Sequence, residues 1–234
     1  MNKLIVVTGG TKGIGKAIIE IFAAAGFDVA TCARNKDDLK KLKAEITEKY
    51  KVSVLTMQAD LSNRGEIQTF VNFIQAMQRP VDVLINNTGT FAPGQVHNEE
   101  EGVLEKMIQT NLYSAYHVTR GVVGAMKEKE EGYIFTICST ASITPYTNGG
   151  SYCISKYALL GMNKVLREEL KAFNIKVTSV LPGATYTASW EGAGIPETRF
   201  MKPEDVAKVI FTAYELSDRT VVEEILMRPQ LGDL

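Results

Sequence analysis

The feature that most constrains this chain is a repeated pairing. A short, nearly all-apolar run is followed by a stretch with helical spacing, again and again along its length. The runs read KLIVVTG, DVATCA, VSVLTMQ, VDVLIN, GYIFTIC, IKVTSVLP and TVVEEILMR. A strand with one wet face alternates apolar and polar residues, whereas near-continuous Val/Ile runs belong to a sheet covered on both faces. Helical stretches between such runs supply that cover and the crossovers that parallel neighbours need. The spacing predicts helices over GKAIIEIFAAAG, closed by Gly26, and over KDDLKKLKAEITEKY, with acids in its first turn. It predicts further helices from about Asn63 to Met77, from about Val103 to Lys127, around Tyr152 and Lys156, and from Pro203 onward. No linker, repeat or low-complexity segment breaks the rhythm across the 234 residues. The expected architecture is α/β: one doubly wound domain over 1–234, with about seven parallel strands and helices on both faces.

In such sheets, ligands bind beyond the carboxyl ends of the strands. Beyond the first strand comes TGGTKGIG, where Gly9, Gly13 and Gly15 stand between a strand and a helix. Glycines allow a tight turn and a close approach of the backbone to a pyrophosphate, which then meets helix N–H groups and the positive end of the dipole. The context is that of a Rossmann-type dinucleotide site. An NAD site commonly places an acid about 20 residues further on, at the ribose 2′-hydroxyl. Here the second strand ends in CARN, with Arg34 and no acid, and Lys12 sits inside the glycine loop. Two cations near that ribose suit a 2′-phosphate, so the expected cofactor is NADP (NADPH). Asp37 and Asp38 are the competing acids, and stabilisation by the helix dipole accounts for them.

Charge and composition exclude several other functions. With 26 basic and 27 acidic residues the net charge is −1, so neither nucleic acid nor an anionic membrane is an expected partner. No apolar run approaches the roughly 20 residues of a membrane helix, and the N-terminal run is too short for a secretion signal. The three cysteines, Cys32, Cys138 and Cys153, have no metal-like spacing and cannot all pair, which points to a reducing cytoplasm. His97 and His117 are isolated, and no metal is expected.

The stretch SYCISKYALLG sets Tyr152 and Lys156 four residues apart. Four residues of α-helix turn about 400°, so the pair lies about 40° apart on one face and roughly 6 Å apart along the axis. A phenol ordinarily titrates near 10 and is a poor proton shuttle at neutral pH. A lysine cation roughly 5 Å away favours phenolate by about 3 kcal/mol at an effective dielectric near 20. A phenol so placed can give a proton to a carbonyl oxygen as hydride reaches the carbon, or take one back in reverse.

Taken in order along the chain, these motifs resemble the short-chain dehydrogenase/reductase family over nearly the whole length. The resemblance implies that the glycine loop, with Thr11 and Ile14 among its residues, holds the cofactor pyrophosphate. It implies that ADL brings Asp60 to the adenine ring, with Leu61 beside it. NNTG, with Asn87 and Gly89, matches a family turn in which Thr88 replaces alanine. It further implies that Asn111 orders a water in a proton relay, and that Ser139, thirteen residues before Tyr152, hydrogen-bonds the reacting oxygen. Lys156 would also hold the nicotinamide ribose hydroxyls. LPGATYT, with Pro182, Gly183, Thr185 and Thr187, would grip the nicotinamide.

The implied activity is hydride transfer between NADP(H) and a carbonyl or alcohol substrate, of the ketone, aldehyde, 3-oxoacyl or 3-hydroxy acid type. The alternative is a catalytically silent NADP(H)-binding sensor or scaffold. A substrate lid is expected around 185–202, with Tyr186, Trp190, Thr90, Phe91 and Ile143 as candidate pocket residues. An acidic patch at Glu99, Glu100 and Glu101 would disfavour an acidic carrier protein as partner if it faces the entrance. The resemblance implies a homodimer or homotetramer, for which Val118, Val122 and Leu160 are candidate interface residues; the alternative is that they face the sheet.

Overall fold

A computed structural model describes all residues except 188, 189, 191 and 193. Seven strands form one sheet: β1 (Leu4–Thr8), β2 (Asp28–Ala33), β3 (Val54–Gln58), β4 (Val83–Asn86), β5 (Gly132–Ile137), β6 (Ile175–Pro182) and β7 (Glu224–Met227). Their spatial order is β3-β2-β1-β4-β5-β6-β7 and every neighbouring pair is parallel. The carboxyl ends of all seven strands therefore share one edge, and the order reverses between β1 and β4, where a crevice opens.

Helices cover both faces. On one side lie α1 (Gly13–Ala24), α2 (Lys36–Tyr50) and α7 (Pro203–Glu215); on the other lie α3 (Arg64–Gln75), α5 (Ser114–Lys129) and α6 (Gly150–Leu170). Strand β1 shows why its sequence carries no polar alternation. Ile5 and Val7 pack with Ile18, Ile19 and Phe22 of α1 and Ile210 of α7, while Leu4 and Val6 pack on the opposite face with Ile67 and Phe70 of α3 and Val118 of α5. Each fully buried aliphatic side chain contributes about 1.5–3 kcal/mol. Asn35 and Asn63 cap α2 and α3, each side chain accepting two first-turn N–H groups.

Three features differ from the sequence expectation. The helical region expected from 103 is not continuous: α4 (Val103–Ile108) runs into a π-helical turn, Gln109–Tyr113, before α5 begins. The last strand is shorter than its apolar run, because only Glu224–Met227 pairs with β6. Val118, Val122 and Leu160 turn inward, at 0, 3 and 5% exposure, and face the protein's own core rather than a neighbouring subunit. The large apolar side chains exposed on α6 and along the π turn and α5 are instead Ile154, Tyr157 and Val165, and Tyr113 and Tyr116. Among the described residues no helix is long and apolar enough to cross a membrane.

Candidate active site

The residues singled out from the sequence gather at the carboxyl edge of the sheet because each lies just beyond a strand. The glycine loop follows β1, Arg34 follows β2, Asp60 follows β3, Asn87 and Gly89 follow β4, Ser139 follows β5, and Gly183 to Thr187 follow β6.

The glycine loop has the form of a phosphate cradle. Gly9 and Gly13 have φ of 68° and 53°, in the left-handed region that disfavours other residues. A Cβ on Gly15 would lie 2.5 Å from the Gly9 carbonyl oxygen and 2.6 Å from Asn87 Nδ2; one on Gly13 would meet the Thr187 methyl at 2.9 Å. Lys12 stands at the N-cap of α1, and no side chain accepts a hydrogen bond there, in contrast to α2 and α3. An unblocked helix N-terminus behind a side-chain-free loop fits a pyrophosphate. Asn87 Nδ2 donates to the carbonyls of Thr8 at 2.9 Å and Gly9 at 3.0 Å, tying the turn after β4 to the loop. Thr8 Oγ1 accepts the backbone N–H of both Asn87 and Thr88, at 2.9 and 3.0 Å. Thr11 and Ile14 are half-buried, Ile14 against the core. Gly10 was not singled out from the sequence: a Cβ there would lie 2.3 Å from Thr31 Oγ1, on the neighbouring strand.

At the adenosine end, Arg34 is exposed, and its carbonyl accepts from Gln58 Nε2 at 2.9 Å. Lys12 is likewise exposed, but its ammonium pairs with Asp38 at 3.1 Å. Asp38 thus acts on Lys12 as well as on the helix dipole. The Ser62 backbone N–H, 2.9 Å away, holds the Asp60 carboxyl below the usual carboxylate range, and the Arg34 charge adds to this. Leu61 points into the core, so only its backbone faces the crevice edge.

The π turn places Asn111 at full burial, pointing across to the loop after β4. Such turns insert a residue into a helix and occur often at functional sites. Asn111 Oδ1 accepts from Thr90 N at 2.7 Å; Nδ2 donates to Thr90 O at 3.0 Å and to Ser155 Oγ at 2.8 Å. Ser155 Oγ in turn donates to the Tyr152 carbonyl at 2.7 Å. Ser155 was not singled out from the sequence; a serine beside Lys156 carries no pattern of its own. Lys156 is 5% exposed and its ammonium donates to the Ile137 carbonyl at 3.0 Å, 5.9 Å from the centre of the Tyr152 ring. Gly89 completes this corner: a Cβ there would sit 3.5 Å from Lys156 Nζ and 3.4 Å from Asn111 Oδ1. Ser139 is held by the Ala141 N–H donating to its Oγ at 3.1 Å. Next to it, burial pushes the Cys138 thiol up to about 12, so no thiolate forms there at neutral pH.

The pocket walls are aromatic and apolar in part. Phe91 meets Tyr152 edge to face at 5.0 Å, and Ile143 is exposed nearby in the segment after Ser139. Burial pushes the Tyr146 phenol up, and the proximity of Tyr152 adds to it. Thr90 is fixed by Asn111 through its backbone. Of the expected lid, residues 188, 189, 191 and 193 lie outside the described residues. Its two ends are joined by a bridge between Thr185 and Met201, with Tyr186 N donating to Met201 O at 2.9 Å. Thr185 is buried, and its hydroxyl donates to the Gly183 carbonyl at 3.1 Å. Trp190 and Tyr186 both pack on Phe200, at 5.0 and 5.7 Å. The acidic patch divides: Glu100 and Glu101 are exposed, whereas Glu99 turns inward and accepts from the Ser151 backbone at 2.9 Å. Among the described residues no three His, Cys, Asp or Glu side chains gather as metal ligands would.

Residues 3–196 match the short chain dehydrogenase family. The chain belongs to that family. It is 31% identical to a sepiapterin reductase of Chlorobaculum tepidum, across 100% of this chain and 99% of that one. It is 30% identical to the NADP-dependent 3-hydroxy acid dehydrogenase YdfG of Salmonella typhi, across 97% and 94% of the two chains. Among solved structures, a metagenomic short-chain oxidoreductase in complex with NADP superposes with a TM-score of 0.85 at 29% identity, covering 98% of both chains. The glycine cradle and the open helix N-terminus are where a dinucleotide cofactor would fit.

Proposed function

We propose that this short-chain dehydrogenase transfers a hydride between NADP(H) and a carbonyl or alcohol substrate of the ketone, aldehyde, 3-oxoacyl or 3-hydroxy acid type. The observation that carries the reading is the convergence of Tyr152, Lys156, Ser139 and Asn111 beyond β4 and β5, beside the glycine cradle. The names of the two relatives, a sepiapterin reductase and an NADP-dependent 3-hydroxy acid dehydrogenase, agree with it. Bound NADPH supplies the hydride.

Tyr152 donates the proton to the substrate oxygen, with the buried Lys156 ammonium 5.9 Å from the centre of its ring. Ser139 Oγ, whose position is fixed by Ala141, donates to the same oxygen as charge develops. Asn111 has both amide hydrogens engaged, so its first task is to hold Thr90 and Ser155; it would order a relay water only through an oxygen. Lys12 and Arg34 would hold the 2′-phosphate of the bound cofactor, Lys12 giving up its ion pair with Asp38 to do so. Thr185 and Thr187 would stand against the nicotinamide of the bound cofactor, with a substrate cover around 185–202 whose described ends meet at the Thr185–Met201 bridge. A second copy of the chain would cover Tyr113, Tyr116, Ile154, Tyr157 and Val165, giving a homodimer or homotetramer, and the setting is the cytoplasm.

The test is NADPH oxidation at 340 nm against a panel of ketones, aldehydes, 3-oxo acids and 3-oxoacyl thioesters, with 3-hydroxy acids and NADP in the reverse direction. Turnover of at least one class is expected. A protein that binds NADPH tightly and turns over none of them would be the silent binder instead.

A further inference from the structure

The catalytic helix α6 begins only two residues before Tyr152, and its start is held from outside. Glu99, in the loop after β4, reaches across to it: Oε1 accepts the Ser151 backbone N–H at 2.9 Å and Oε2 accepts the Ser151 hydroxyl. Two glycines make room for the carboxylate. A Cβ on Gly150 would lie 1.9 Å from Glu99 Oε1, and one on Gly94 would lie 2.5 Å from it. The same loop is stitched to the segment before α6 at two more points. Gly94 N donates to the Asn148 carbonyl at 3.0 Å, and Gln95 Nε2 donates to Asn148 Oδ1 at 2.9 Å. This loop also carries Phe91, which abuts the Tyr152 ring.

We propose that Glu99 is a positioning residue for Tyr152: its carboxylate clamps the first turn of α6 to the loop after β4, and so sets where the phenol stands against the substrate oxygen. This rests on the reading of Tyr152 as the proton donor. Ser151 precedes Tyr152 directly, so a shift of its backbone moves the phenol with it. Helix α6 is held at its start by Glu99 and one turn later by Asn111 through Ser155. A carboxylate suits the place because it accepts an N–H and an O–H together and lies at the positive end of the helix. Its effect belongs in turnover rather than in cofactor binding, since none of its contacts involves the glycine loop.

Four variants test this: Glu99→Ala, Glu99→Gln, Gly94→Ala and Tyr152→Phe, with kcat on the best carbonyl and NADPH Kd read for each. Misplacing a reacting group by about 1 Å can cost 10²-fold, so Glu99→Ala should lose about 10- to 100-fold in kcat, with NADPH Kd within about twofold of the parent. Glu99→Gln, which can still accept the N–H, should recover kcat to within about threefold. Gly94→Ala, whose added methyl would lie 2.5 Å from Glu99 Oε1 and so displaces the carboxylate, should reproduce the loss even if Glu99→Ala folds poorly. Added to Tyr152→Phe, Glu99→Ala should cost almost nothing further, because both act through one hydroxyl. An unchanged kcat in Glu99→Ala, an equal loss in the Tyr152→Phe background, or a loss of NADPH binding in step with turnover would each overturn the proposal. A fully active Tyr152→Phe single variant would instead overturn the reading of the site beneath it.

Discussion

Replacing Asn111 by alanine isolates the brace that joins the loop after β4 to the catalytic helix. The side chain is wholly buried and makes three hydrogen bonds of 3.0 Å or less, two to the backbone of Thr90 and one to Ser155 Oγ, besides a long one of 4.0 Å to Met107 Sδ. A neutral hydrogen bond contributes about 0.5–1.5 kcal/mol net, and more is lost when a buried partner is left unpaired. Thr90 is half-buried, so water can replace part of what it loses. Ser155 keeps its own donation to the Tyr152 carbonyl. The loss should therefore fall at about 2–3 kcal/mol, near the middle of the range for three such bonds. For a chain of this length that corresponds to a fall of about 4–12 °C in melting temperature. Urea titration at fixed protein concentration measures it directly, with the slope compared to confirm that the unfolded state is unchanged. Ser155→Ala combined with Asn111→Ala should lose less than the two singles together, since one bond is removed twice. A fall below about 1 kcal/mol, with the two substitutions strictly additive, would refute the brace.

Two further outcomes are expected. Arg34→Ala should weaken NADPH by about 1.5–3 kcal/mol while leaving NADH nearly unchanged, because only NADPH carries the phosphate; titrations of both cofactors check it, and equal weakening would remove Arg34 from the 2′-phosphate site. Light scattering at micromolar concentration should report a dimer or tetramer, and a monomer would remove the assembly over Tyr113, Tyr116, Ile154, Tyr157 and Val165.

Sequence reasoning reached the fold because both-face burial leaves its mark on every strand. Leu4, Ile5, Val6 and Val7 are all buried, so no polar residue interrupts the run. It reached the glycine cradle because the left-handed φ at Gly9 and Gly13 admits little else. It reached Tyr152 and Lys156 because helical geometry alone puts them on one face. What was not legible depends on contacts between segments far apart in the chain. The π turn at Asn111 arises where the chain meets Thr90 and Ser155, and no local propensity marks it. Helical spacing shows that Val118 and Val122 share a face with the core of α5, but not that the face looks at the sheet rather than at a neighbour. Glu99 was read as one of three surface acids, since its partner lies 52 residues away at Ser151. The pairing of Lys12 with Asp38, which reaches it from the next helix, likewise leaves no mark in the local sequence.

The central claim is that Tyr152 delivers the proton as hydride leaves NADPH, and one comparison tests it most directly. Parent and Tyr152→Phe are given NADPH deuterated at the transferable position, with the best carbonyl from the panel; deuterium in the alcohol carbon and NADPH consumption at 340 nm are both followed. The account predicts one deuterium per NADPH in the parent, and in Tyr152→Phe a kcat lower by about 10²–10⁴-fold with cofactor binding retained. A Tyr152→Phe enzyme that keeps more than about a tenth of the parent kcat, well outside the range for a lost general acid, would contradict it.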